Sequence, residues 1–80
     1  MLVEQLEDVR IEALFVSPVQ CSQHPSVENI REAVHTAVER HGENGCAALM
    51  AEEFGEHPEV AVGRMRWART AVQAAFPFEG

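Results

Sequence analysis

The side chains best equipped for chemistry in this sequence are two cysteines and four histidines, and they fall in local pairs. Cys21 with His24, and His41 with Cys46, lie close enough in sequence for one backbone turn to present two ligands to zinc. The order is permuted from the usual Cys pair followed by a His pair, and Cys46 opens an apolar helical face that can bury it as a small hydrophobe. A Cys21–Cys46 disulfide would require an oxidising compartment. A nucleophilic Cys46, favoured as thiolate by a helix N-terminus and served by His41 or His57 as base, would also need an oxyanion site and a concave pocket. A chain of 80 residues has little surface from which to build one. No Gly-rich phosphate loop, Ser-His-Asp set or spaced carboxylate pair is present. These patterns assign no catalytic residue, no metal ligand set and no cofactor.

A different kind of chemistry belongs to the arginines. The formal net charge is −7, which opposes indiscriminate attraction to nucleic acid or anionic membrane. Only residues 58–78 are net basic, through Arg64, Arg66 and Arg69 against Glu59. Arg64, Trp67 and Ala71 recur at helical spacing on one face, with Arg66 and Arg69 flanking it. Trp and Arg carry binding energy more often than other side chains, so Arg64, Arg66, Trp67 and Arg69 form a candidate partner-binding surface. Two blander uses compete with it: Trp67 filling a small core, and the arginines pairing with Glu52, Glu53 or Glu56 inside the domain.

These side chains must be held by helices. Leu2, Leu6, Val9 and Ala13 repeat at helical spacing among Glu4, Glu7, Asp8 and Glu12, which predicts an amphipathic helix over about 2–15. Pro18 ends it by excluding Ser17 from helical geometry, and the segment to Ser26 reads as loop. Ser26 then caps a second helix, about 27–41, with Val27, Ile30, Val34, Val38 and His41 inward and Gly42 as its left-handed stop. A third, about 45–54, places Cys46, Leu49, Met50 and Phe54 on one face. Pro58 starts a fourth, about 58–76, buried through Ala61, Met65, Ala68, Val72 and Ala75. No alternating β-branched run longer than Leu14-Phe15-Val16 is present, and Asn44-Gly45 joins helical patterns rather than strands. The expectation is a single all-α domain of four helices.

The last two of these helices have features of a helix-turn-helix. Ala51 and Gly55 stand where the two helices come closest and where the turn calls for positive φ, and Pro58 begins the second helix at a suitable distance. Glu56, where an apolar residue is usual, and Ala61, where a bulkier one is common, fit less well. Readout fits worst. Glu59, Val60, Val62 and Gly63 would lie against base edges with little hydrogen-bonding capacity, and Glu52, Glu53 and Glu56 would repel phosphate.

No run of about eighteen apolar residues is available to span a bilayer, and the opening MLVEQLEDVR lacks the basic start of a secretory signal, so a cytoplasmic location with reduced thiols is expected. The absence of Lys beside six Arg points to a GC-rich, most simply bacterial, genome. At GCAALMAEEFGEHPEVAVGRMRWAR and ALFVSPVQCSQHPS the chain resembles small uncharacterised helical proteins of actinobacteria. That resemblance implies a bacterial cytosolic protein and no particular activity. The function expected from the residues is non-enzymatic binding of a protein partner or of a second copy as a homodimer, possible regulation included. The alternative is a dimeric helix-turn-helix DNA-binding regulator.

Overall fold

In a computed structural model of the chain, residues 3–77 are described. They form three α-helices: α1 (Val3–Val16), α2 (Val27–Glu56) and α3 (Pro58–Ala75), with a single 3-10 turn at Cys21–Gln23 between the first two. No strand occurs among the described residues. Each helix packs against both others, and the Cα radius of gyration of 11.8 Å is close to the roughly 12 Å expected of a compact chain this long.

Ser26 acts as expected at the start of α2: its backbone is extended and its hydroxyl accepts a hydrogen bond from the Asn29 amide at 3.1 Å. The helices predicted over 27–41 and 45–54 are a single element, interrupted at Gly42. Gly42 adopts φ 72° and ψ 169°, a region essentially reserved for glycine. Gly42 thus ends the first helical run where the stop was expected and a second run resumes beyond it, so α2 is two helical runs joined at a kink, and the described residues form three helical elements.

The predicted turn glycine is also displaced. Gly42 is the one described glycine with positive φ, so Gly55 is not the left-handed turn residue. Helix α2 runs through Gly55 to Glu56. Its limit is set by Pro58, whose ring excludes helical geometry at the residue before it. His57, at φ −137° and ψ 64°, ends α2 and begins α3 at once. A Cβ placed on Gly55 would meet nothing within 4 Å, so close helix approach does not require that glycine either.

The core is built from Ile11, Ala13, Leu14 and Phe15 of α1, Ile30, Val34, Ala37 and Cys46 of α2, and Ala61, Ala68, Val72 and Ala75 of α3. Alanines let the helix backbones come near one another, and Leu14, Val72 and Cys46 are the largest side chains that are fully buried. Burying a side chain the size of Leu14 contributes roughly 1.5–3 kcal/mol. The α3 stripe agrees with its periodicity, although Met65 is only partly covered. The α1 stripe does not. Leu6 is exposed and Val9 half-buried, while Leu2 lies outside the described residues. Burial is instead concentrated in the last turn, where Ala13, Leu14 and Phe15 are all enclosed because both other helices press on that end. Leu49, expected inward, is 40% exposed. Phe54, five residues further along α2, stacks on Phe15 with ring centroids 5.6 Å apart.

Candidate functional site

The enclosed end of α1 creates an electrostatic problem that Arg64 solves. The last carbonyls of a helix have no partner within it, and here they point into protein. Arg64 reaches across from α3: its Nε donates to the Phe15 carbonyl at 2.7 Å, and its Nη2 donates to the carbonyls of Ser17 at 2.7 Å and Leu14 at 3.3 Å. The Ser17 hydroxyl also donates to the Leu14 carbonyl, at 2.7 Å. The cation sits at the negative end of the α1 dipole, with its guanidinium carbon 5.2 Å from the Trp67 ring centroid and 5.9 Å from that of Phe15. Burial lowers the pKa of Arg64 and the nearby Glu53 carboxylate opposes that shift. Arginine stays charged through either influence. No buried side-chain nitrogen or oxygen among the described residues lacks a partner.

The four residues singled out by the sequence therefore separate. Arg64 holds α1 in place. Trp67 is half-buried, packs against the core, and lines a groove of about 330 Å³ with Cys21, His24, Pro25, Val27 and Ile30 on its opposite wall. Arg66 and Arg69 lie around the helix from both, exposed, and line a shallower groove of about 260 Å³ with Phe54, Val62 and Met65. Val62 is 47% exposed there. Its value as a surface residue was legible only in its spacing from Arg66 and Arg69, four and seven residues on.

Among the described residues, Arg66 and Arg69 have no carboxylate partner. Ion pairs among the described residues are His35–Glu39 at 3.3 Å and His57–Glu53 at 3.1 Å. Glu53 is thus engaged by His57 and by the field of Arg64, and neither Glu52 nor Glu56 reaches an arginine. Sequence explains this locally. No acidic residue lies three or four positions from Arg66 or Arg69 within α3, and those are the spacings at which helical side chains meet.

The thiol and imidazole groups do not converge. Among the described residues no three His, Cys, Asp or Glu side chains are placed to hold a metal ion. Cys21 is exposed in the 3-10 turn, which closes through the Gln20 amide donating to Gln23 Oε1 at 2.8 Å and leaves His24 left-handed at φ 49°. Cys46 is fully buried, with its Sγ donating to the Ala37 carbonyl at 3.7 Å across the Gly42 kink. Desolvation, and then the Glu12 carboxylate, push its pKa up. The thiolate favoured by helix position alone is opposed by burial, and His41 and His57 are both exposed.

Compared with protein-family models, with curated proteins and with solved structures, the chain has no significant match.

Proposed function

We propose that this is a small non-enzymatic, cytoplasmic helical module that works by binding protein through the outer face of α3, with Arg66 and Arg69 around Val62 and the Phe54–Met65 groove. The observation that carries the reading is the pair of exposed arginines without a carboxylate partner among the described residues, in a chain of net charge −7. Hydrated charges beside an exposed aliphatic side chain are what a partner with acidic and apolar groups would complement. Arg64 and Trp67 support that face from behind by fixing α3 on α1. A reducing cytoplasm would keep Cys21 and Cys46 as thiols.

A photo-cross-linking residue at Val62, with a control at the exposed Glu28, tests this in cells expressing the chain. The expected outcome is a discrete protein adduct from position 62 alone. No adduct from 62, or the same products from both positions, would refute it.

The second reading is a helix-turn-helix-like DNA binder, favoured by the single-residue corner at His57 and by the exposure of Arg66 and Arg69 on the helix that follows. Exposed Glu52, Glu56 and Glu59 around that corner oppose phosphate. Binding to a labelled random duplex at low salt, lost on Arg66→Glu/Arg69→Glu, would favour DNA, because the phosphate contribution is greatest there. Absence of duplex binding under those conditions would remove it.

A further inference from the structure

Glu59, Val62, Arg66, Arg69 and Gln73 are all exposed on α3 and fall at i, i+3, i+7, i+10 and i+14. That is the alternating three-and-four spacing of a coiled-coil seam, and no described residue covers it. Its charges are ordered, and have no ion-pair partner among the described residues: negative at Glu59, then apolar Val62, then positive at Arg66 and Arg69. We infer that the partner of this face is a second copy of the chain, bound through an antiparallel α3–α3 pair in which Glu59 of each copy meets Arg69 of the other.

The charge order selects this arrangement. In a parallel pair Glu59 would face Glu59, and each arginine its own counterpart, so every charged layer would repel. Reversing one helix about a centre between Val62 and Arg66 pairs Glu59 with Arg69 twice by symmetry. The same reversal lays the aliphatic stem of Arg66 over Val62 of the other copy. Gly63 lies beside that centre, exposed, and a Cβ there would meet nothing within 4 Å in the monomer. The two helices can therefore approach closely at their crossing. Phe54 and Met65, which line the groove beside Val62, extend the apolar part of the contact. The paired charges span about 15 Å along the helix, so the helices must cross at a shallow angle of about 20°.

This inference rests on the reading of α3's outer face as the binding surface, and its test separates the two. Sedimentation velocity of the whole chain at about 0.15 M salt, where repulsion between the two net-acidic copies is screened beyond about 8 Å while contacting pairs still attract, should show a concentration-dependent dimer. Arg69→Glu and Glu59→Arg should each weaken self-association about tenfold, because each turns two attractive pairs into repulsive ones. Their helical circular dichroism should be retained, since both side chains are exposed. Mixing the two variants should restore a one-to-one heterodimer, in which each Glu–Arg contact is re-formed with or without its polarity reversed. A wild-type monomer at all concentrations up to about 1 mM, the weak limit of specific association, overturns the inference. So does a dimer indifferent to both substitutions, or a mixture that stays monomeric. A position-62 adduct to a different protein would then leave the binding face standing while excluding the second copy.

Discussion

Replacing Arg64 by Met keeps much of the aliphatic stem and removes the guanidinium, so it isolates the group that closes the end of α1. Three hydrogen bonds are lost, to the carbonyls of Phe15, Ser17 and Leu14. Leu14 keeps the Ser17 amide and hydroxyl as donors, at 3.1 and 2.7 Å, so the exposed loss is at Phe15 and Ser17. A hydrogen bond to a charged donor contributes about 1.5–3 kcal/mol, and a carbonyl left without a partner costs about 1–3 kcal/mol when it is enclosed. Here a cavity of about 430 Å³ lined by Phe15, Val16, Ser17 and Arg64 lets water approach the site, which places the effect near the lower end of those ranges. Loss of the helix-end charge and of the contacts to Phe15 and Trp67 adds about 1 kcal/mol. The expected destabilisation is about 2–4 kcal/mol, a large part of the roughly 4–12 kcal/mol available to a domain this size. Urea unfolding followed by circular dichroism measures it, with Arg66→Met as the exposed control at about 0.5 kcal/mol or less. Arg64→Lys should recover only part of the loss, because an ammonium cannot reproduce the fork. Equal stability of Arg64→Met and Arg66→Met would refute the assignment of Arg64 as the cap of α1.

Two glycine substitutions should act in opposite directions. Gly42→Ala should destabilise by about 1–3 kcal/mol through backbone strain alone, since its Cβ would meet no atom within 4 Å; Gly55→Ala should be neutral or stabilising by up to about 1 kcal/mol, because it lies within a helix in open space. Thermal unfolding distinguishes them, and a destabilising Gly55→Ala would restore a special backbone role to that position. Glu12→Gln should stabilise the chain at neutral pH. Burial, then Asp8 and Glu43, raise the Glu12 pKa, so the folded state binds its proton more readily than the unfolded state and its ionisation disfavours folding as pH rises through that interval. The advantage of the variant should disappear below the unfolded pKa of about 4.3; an advantage that persists there would show that packing, not charge, is responsible.

Much of the fold was legible because its signals are local. Ser26, Pro18 and Pro58 fix helix ends through their own backbone chemistry, and the small residues from Ala61 to Ala75 announce the buried side of α3 by spacing alone. The errors arise where a third element decides. Leu6 and Leu49 have the type and spacing of core residues and are left outside, while the aromatic contact of α2 with α1 is made by Phe54 on Phe15. Arg64 was the least legible of all. Its partners are carbonyls 47 to 50 positions away, and no side-chain pattern marks a distant backbone group that lacks a donor.

That one displacement changes what the basic end of the chain means. Of the six arginines, Arg64 is committed to α1, while Arg10 and Arg31 lie 4.1 and 5.2 Å from the Phe76 ring centroid and hold the exit of α3 against the other two helices. Half of the positive charge thus serves to assemble a domain whose excess carboxylates would otherwise push its helices apart. Arg40 stands at a separate groove with His41 and Glu32 on α2. Only Arg66 and Arg69 combine exposure, proximity to one another and an apolar neighbour in Val62. Neither holds the fold together, so substitutions there can change association without changing stability, whereas a substitution at Arg64 would change both and be mistaken for loss of a contact with a partner.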